Sequence, residues 1–316
     1  DGYKRQPILE QPVIDVGGVG LGAFGISFDD PKIDLDVLAD QTNASVDLID
    51  AESATFIGRI GSKCPTGNPA PHFCFAGVGS TTSLSGPNGV VIVGHNEIWT
   101  GDGDSRIKVI DLQKKKKEFI TTISTGGQFR VDEMADDSRD NILVAVNNAD
   151  SPPFVTLVDT ETRTILGKMA FTAAGVGVDA ENGIEQPQWS PATGLFYVSV
   201  PQVGSDPTIG GVSVIDPSTM HVTRTLLVSN CSPAGLALGP HPEALIGCSG
   251  AFGSPLTTHT VIIDLTSTSV AVDGAVVATV PIGGSDEVWY DKGTNHYFLA
   301  ARNNLDSTGR VTPILG

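Results

Sequence analysis

The chain carries little positive charge, few aromatic side chains and no long apolar run. Lys and Arg together number 19 against 36 Asp and Glu, so the formal net charge is −17. Because a phosphate backbone is bound mainly by Lys and Arg, this balance argues against a nucleic-acid partner and makes cations the natural ligands. Without an apolar run long enough to cross a bilayer, the sequence predicts no membrane span.

Several catalytic signatures are also missing. The chain has no G-x-S-x-G elbow, no H-E-x-x-H motif and no phosphate-binding loop. Each of these motifs places a nucleophile, a metal or a phosphate in a defined geometry. Their absence argues against a serine hydrolase, a zinc peptidase and a nucleotide-dependent enzyme.

Cysteine is scarce, and its four residues form two local pairs: Cys64 with Cys74, and Cys231 with Cys248. An even number in local pairs predicts two disulfides, and a zinc site made of four thiols is the alternative. Two glycosylation sequons, at Asn43 and Asn230, are typical of a glycoprotein. Together these features predict a secreted protein, extracellular or periplasmic.

Glycine and proline are plentiful, with 37 and 20 residues, which indicates many turns. A short apolar motif containing aspartate recurs five times: SVDLID (45–50), IKVID (107–111), VTLVD (155–159), VSVID (212–216) and VIIDL (261–265). Each copy has the pattern of a β-strand followed by a polar turn. The surrounding segments predict four strands in units of roughly 45 to 50 residues, which is typical of a β-propeller blade.

Counting gives five full units and an incomplete sixth that begins at DEVWYD (286–291). The segment PVIDVGGVG (12–20) has the form of other outer strands, so we expect it to complete the last blade and close the ring. The sequence therefore predicts an all-β, six-bladed propeller of four-stranded blades in a single domain, residues 1–316, and a monomer. A seven-bladed ring is the alternative if the chain is truncated. Two insertions, 62–85 and 172–183, are expected over the mouth of the channel.

Acidic residues recur where the first strand of a unit begins, at the end of the channel that gathers the loops. Aligning the units predicts one equivalent position for four residues: Asn88, Glu133, Glu185 and Glu287. Three carboxylates in a narrow channel repel one another and need a neutralising partner. A divalent cation, possibly calcium, is one solution, and ion pairs with Arg130 and Arg302 are the other.

The same acids are the candidate catalytic residues. Glu133, Glu185 and Glu287 would transfer protons or hold the cation, and Arg130 would supply a positive charge. His72, on the first insertion, would act as a general base. An ordinary loop position is the alternative for this histidine.

The units IKVIDLQKKKKEFITTISTGG and VSVIDPSTMHVTRTLLVSN resemble the YVTN-type β-propeller repeat, and the resemblance covers nearly the whole chain. It implies the fold and leaves the function open, because such propellers include binding proteins, surface proteins and enzymes. A six-bladed ring with Glu and Asn at its channel also resembles the gluconolactonase, paraoxonase and phosphotriesterase-like propellers. That resemblance implies a channel metal, held by Asn88, Glu133, Glu185 and Glu287, that polarises a lactone or ester. The chain departs from those families in offering three glutamates and no clear counterpart of their catalytic acid.

Two functions from different classes follow. The first is a secreted enzyme, such as a lactonase or other hydrolase, a lyase or an isomerase, that acts on a small organic substrate with a cation as Lewis acid. The second is a non-catalytic secreted propeller that binds a small molecule, a glycan or a protein at the same face. Three converging acids beneath long insertions favour the enzyme.

Overall fold

A computed structural model of the chain describes residues 18–65, 73–113, 117–250 and 259–316. Within these ranges lie 23 β-strands and one 3₁₀ turn at Thr82–Leu84. The strands form six antiparallel sheets that follow one another along the chain. No helix in the described ranges is long and apolar enough to cross a membrane.

Each sheet is one blade, and its strands pair in chain order. The strands of blades 1 to 3 are β1–β4 (Phe24–Asp30, Leu35–Asp40, Ser45–Asp50, Thr55–Ile60), β5–β8 (Val90–Val93, Glu97–Asp102, Arg106–Asp111, Glu118–Ser124) and β9–β12 (Met134–Asp137, Ile142–Asn147, Phe154–Asp159, Thr164–Ala170). The strands of blades 4 to 6 are β13–β16 (Pro187–Ser190, Leu195–Val200, Ile209–Asp216, His221–Ser229), β17–β20 (Pro233–Leu238, Glu243–Cys248, Thr260–Asp264, Val276–Val280) and β21–β23 (Glu287–Asp291, His296–Ala301, Ile314–Leu315).

The predicted all-β, six-bladed propeller is confirmed, and the seven-bladed alternative is not what the chain forms. Blades 1 to 5 have four strands each, and blade 6 has three within the described residues. The N-terminal strand expected to close the ring falls mainly on residues 12–17, which lie outside the described ranges.

The recurring motif forms the third strand of blades 1 to 5, and its aspartate has a local task in most of them. At the end of the strand, Asp50, Asp159, Asp216 and Asp264 accept hydrogen bonds from backbone N–H groups two or three residues further on. These bonds close the turn to the fourth strand and lower the pKa of each carboxyl. The repeated aspartate is therefore explained by turn formation, without any role in the channel.

A second regularity lies between the third and fourth strands of blades 1 to 5. Each of these pairs contains one register shift, at an equivalent place within the motif. A bulge at a fixed position bends and twists the outer strand in the same sense in every blade. The blades can then pack side by side with one geometry.

The core consists of apolar layers between neighbouring blades rather than one central core. Val144 and Val146 of blade 3, for example, pack in the same cluster as Phe196 and Val198 of blade 4. The ring closes through Trp289 of blade 6, which packs against the cluster shared by blades 1 and 2. Burial of these faces provides the main favourable free energy of folding.

Both predicted disulfides are present, Cys64–Cys74 and Cys231–Cys248, and no cysteine is free. The zinc alternative of the sequence analysis is therefore not realised. The second disulfide joins the beginning of β17 to the end of β18, so it staples the two inner strands of blade 5 at the end where β17 begins. This position matches the cross-strand pairing of Pro233 with Cys248.

Two glycines allow the inner strands to approach closely enough to make the channel narrow. A Cβ on Gly89 would lie 1.9 Å from the carbonyl oxygen of Asp132, and one on Gly235 would lie 2.4 Å from that of Asp286. Such distances are far below van der Waals contact, so only glycine fits unless the backbone moves. The acidic pairs of blades 3 and 6 are thereby held against the strands of blades 2 and 5.

We predict that Gly89→Ala lowers the free energy of unfolding by about 1–3 kcal/mol, because the new methyl group collides with rigid backbone. Urea denaturation followed by circular dichroism measures the change. Gly20→Ala is the matched control, since nothing lies within 4 Å of a Cβ at Gly20. Equal stability of the two variants would contradict the close approach of blades 2 and 3.

Candidate functional site

The channel acids lie where the first strands begin, but they occupy two register positions rather than one. In blades 2, 3 and 4, Asn88, Asp132 and Glu185 donate their backbone N–H to the second strand at the same step of the ladder. The next residues, Gly89, Glu133 and Gln186, accept from it. In blade 6, Glu287 pairs with Ala300, which puts Asp286 in register with Glu185 and Glu287 in register with Glu133.

The alignment of the sequence analysis is therefore wrong by one residue for Asn88 and Glu185. Their equivalents are Asp132 and Asp286, which pattern reasoning did not select. A shift of one residue matters because neighbouring side chains of a strand point to opposite faces. The acidic doublets Asp132-Glu133 and Asp286-Glu287 were the available signal, since in each doublet both residues belong to the site.

Glu133 and Glu287 form a pair across the channel, here called the channel pair. The inner strands contact one another in chain order around the ring, so blades 3 and 6 stand opposite each other. The two carboxyl groups nevertheless act on each other, because a side-chain hydrogen bond between them raises the pKa of Glu133 and lowers the pKa of Glu287. A carboxylate has no donor of its own, so this bond requires one proton to be held between the two groups.

The environment of the channel pair favours that proton. Burial raises the pKa of Glu133 well above its usual value, and the charge of Glu287 adds to the effect. Burial also raises the pKa of Glu287 to about 7, although the bond from Glu133 lowers it. The Oε2 atoms of both residues are buried and have no hydrogen-bond partner among the described residues.

Three further acids, Asp132, Glu185 and Asp286, surround the channel pair and are here called the flanking acids. Burial raises the pKa of Glu185 well above its usual value, and the charges of Asp132 and Asp286 raise it further. Asp132 and Asp286, whose charges raise the pKa of Glu185, also occupy the same register position as Glu185 in their blades. The charge of Glu185 also raises the pKa of Glu133, so the flanking acids act on the channel pair as well.

Two arginines compensate part of the negative charge. Arg130 lies 2.5 Å from the carboxylate of Asp132, and Arg302 lies 2.7 Å from that of Asp286. Arg130 also donates to Asn148 and to the carbonyl of Thr82, so its guanidinium is held from three directions. The ion-pair solution considered for the sequence is thus present, and it acts on the flanking acids rather than directly on the channel pair.

Two of the predicted metal ligands, Asn88 and Glu185, already form hydrogen bonds with neighbouring residues. Asn88 accepts a hydrogen bond of 2.6 Å from Gln41 and donates one of 2.6 Å to Ser85, and Glu185 accepts one from Asn148. Across the described ranges, no group of three or more His, Cys, Asp or Glu side chains has the arrangement of a metal site. In the channel pair, the two Oε2 atoms have no hydrogen-bond donor among the described residues. A cation could therefore bind two carboxylate oxygens there without any side chain moving.

The first insertion is anchored to blade 2 by a buried lysine that the sequence did not single out. Lys108 is fully buried, and its Nζ donates to the carboxylate of Asp102 and to the carbonyl of Cys74. Asp102 also accepts from the backbone N–H of Ala76. Residues 73–85 therefore form a fixed wall beside Arg130, and the candidate base His72 lies outside the described residues.

Comparison with known proteins shows the fold and nothing finer. No protein-family model matches the chain, and no curated protein matches it. The structure is similar to that of hydrazine synthase from Kuenenia stuttgartiensis, with a TM-score of 0.64, 15% identity, and coverage of 91% of this chain and 82% of that one. It is also similar to the Pan2 WD40 domain from Neurospora crassa, with a TM-score of 0.59, 8% identity, and coverage of 89% and 73%. At such low identity these likenesses support the propeller alone.

The raised pKa values of Glu133, Glu185 and Glu287 predict that stability falls between pH 5 and pH 8. In this range the folded chain holds protons that the unfolded chain has released, so raising the pH favours unfolding. In Glu133→Gln the neutral amide replaces the protonated acid, and the loss of stability from pH 5 to pH 8 should be smaller by about 1–3 kcal/mol. Urea denaturation at both pH values, in the presence of a chelator, measures the difference.

The exposed Glu181 provides the control, because Glu181→Gln should retain the pH dependence of the unmodified chain. If Glu133→Gln instead loses as much stability as the unmodified chain between pH 5 and pH 8, the two groups share no proton.

Proposed function

We propose that this propeller is a secreted hydrolase of small carbonyl compounds, such as lactones or esters, and that the channel pair transfers the protons. The observation that carries the proposal is the mutual effect of two buried carboxyl groups, Glu133 and Glu287, each of which shifts the pKa of the other. Two carboxyl groups that share one proton combine an acid and a base at one point. That combination suits the addition of water to a carbonyl group.

The reaction uses both members of the pair. The carboxylate of Glu287 takes a proton from a water molecule as the water oxygen bonds to the carbonyl carbon, and Glu133 gives its proton to the carbonyl oxygen. When the tetrahedral intermediate collapses, Glu133 recovers the proton from that oxygen, and Glu287 gives its proton to the leaving alkoxide. A pKa of about 7 for Glu287 suits a base that works near neutral pH.

The surroundings support a small substrate. Glu133 and Glu185 are each only 7% exposed, so a small molecule would reach them more easily than a polymer. Direct contact between the carboxyl groups also disfavours a glycosidase, in which they stand about 5 Å apart or more. Asp132 and Asp286 remain paired with their arginines and position the channel pair without contacting substrate.

A divalent cation, calcium first, is a second proposal, supported by the two buried Oε2 atoms that no other donor reaches. Glu133 and Glu287 would hold it in place of the shared proton. Asn88 and Glu185 would join only by exchanging their present hydrogen bonds to Gln41 and Asn148. Such an ion would polarise a bound carbonyl group as a Lewis acid.

The proposal also includes an extracellular location for the protein. Two disulfides, and the absence of a membrane-spanning helix in the described ranges, fit an extracellular protein. A non-catalytic propeller that binds a small molecule, glycan or protein at this face is the alternative function. It would need the acids only for structure.

The hydrolase proposal predicts that Glu133→Gln and Glu287→Gln each lower kcat at least about 100-fold, because each removes one proton-transfer group. The assay is a panel of small lactones and esters followed by proton release. Glu181→Gln is the control for surface charge and should leave kcat unchanged. Hydrolysis that survives in both channel variants, or none by the unmodified protein over the panel, would support the non-catalytic alternative.

The cation proposal makes a separate prediction. Calcium should bind more tightly as the pH rises through 7, because it competes with the shared proton, and Glu287→Gln should weaken binding at least about tenfold. Titration calorimetry at pH 6 and pH 8, with elemental analysis of the purified protein, tests this. Affinity that is independent of pH and of Glu287 would place any bound ion elsewhere.

A further inference from the structure

The two Asn-x-Ser sequons of the chain are placed differently in the folded structure. Asn43 lies between the second and third strands of blade 1, and its side chain is engaged on both sides. Its Nδ2 donates to the carboxylate of Asp40 at 2.6 Å and to the carbonyl of Val19 at 2.9 Å, and its Oδ1 accepts from the N–H of Val19. The amide of Asn43 is therefore committed to the turn.

Asn230 differs from Asn43 in its exposure and in its side-chain contacts. It follows the last strand of blade 4, is exposed, and has a left-handed backbone with φ of 51°. Its backbone N–H donates to the carbonyl of Thr208 at 2.7 Å, which fixes the position of the residue. No hydrogen bond to its side chain is found in the described ranges, so the amide projects from a rigid point without a structural task.

An apolar surface adjoins this asparagine. The loop 267–274 of blade 5 contacts Ser229, the residue before Asn230. Ser229 donates to the carboxylate of Asp273 through both its backbone N–H and its hydroxyl. The same loop exposes Val270 at 91% and Val272 at 41%. These two valines add exposed apolar area to the loop, and a hydrophilic glycan on Asn230 would shield part of it.

We propose that Asn230 carries an N-linked glycan and that Asn43 does not. The amide nitrogen of Asn230 bonds to the anomeric carbon of an oligosaccharide linked through diphosphate to a lipid. The bond from that carbon to the diphosphate oxygen breaks, the lipid diphosphate leaves, and one amide proton is released to solvent. A chain modified at Asn43 would lose the contacts that hold its turn, so the folded, secreted protein is expected to carry its glycan at Asn230 alone.

The two sites differ in whether the folded chain can accommodate a glycan. A glycan on Asn43 would break its contacts to Asp40 and Val19 and disturb the turn between β2 and β3. A glycan on Asn230 would break none of the contacts described for its side chain. The link between blades 4 and 5 lies at the end of the ring where the first strands begin, so the glycan would flank the candidate site from that side.

Expression of the full chain as a secreted protein in a eukaryotic host tests the proposal. The chain then passes through the secretory route, as the extracellular location in the proposed function requires. Enzymatic removal of N-glycans in heavy-oxygen water converts each modified Asn into labelled Asp. Mass spectrometry of the peptides should find the label at position 230 and not at position 43. The mass difference caused by deglycosylation should persist in Asn43→Gln and disappear in Asn230→Gln and Asn230→Asp.

Label at position 43, or a secreted chain that carries no N-glycan, would overturn the proposal. Neither result bears on hydrolysis at the channel pair, because the channel residues are unchanged in these variants. Retention of the native circular dichroism spectrum in Asn230→Gln confirms that the comparison is made on folded protein.

Discussion

One interaction, between the buried carboxyl groups of Glu133 and Glu287, constrains the site, because each group shifts the pKa of the other. Opposite blades of a ring can reach each other only if the channel is narrow, and the channel is narrow because Gly89 and Gly235 let neighbouring strands approach. Burying two acids in contact is unfavourable unless a proton or a cation lies between them. The fold therefore places two acids where a proton or a cation would be stabilising.

The flanking acids show how the ring can hold so much acidity. Asp132 and Asp286 each have an arginine partner, and Glu185 has an amide donor from Asn148. Those contacts satisfy the outer carboxylates locally. In the channel pair, the Oε2 atoms have no hydrogen-bond partner among the described residues, and burial raises the pKa of both carboxyl groups.

The sequence revealed the fold because the repeat has local causes. Alternating apolar residues form strands, and the aspartate at the strand end closes a turn with its own side chain. The channel was less predictable. An error of one residue in aligning the short first strands exchanged Asp132 for its neighbour and grouped Glu185 with the wrong pair, because the backbone ladder that sets the register is not visible in composition.

Other features escaped the sequence because they depend on distant contacts. Lys108 stands in the apolar motif IKVID, where a lysine would be expected to reach solvent, yet its charge is buried against Asp102 and the first insertion. Likewise, the two sequons are equivalent as motifs and differ only in what surrounds them. At 15% and 8% identity, the similar propellers carry no information on these points.

The central claim is that one proton is shared across the channel. Carbon-13 NMR of protein labelled at the glutamate carboxyl carbons, titrated from pH 4 to pH 9 with chelator present, tests it most directly. A shared proton predicts two coupled resonances that titrate near or above pH 7 and that change together in Glu133→Gln and Glu287→Gln. If every glutamate resonance titrates near pH 4.5, the two groups do not share a proton, and the proposed chemistry of the channel is wrong.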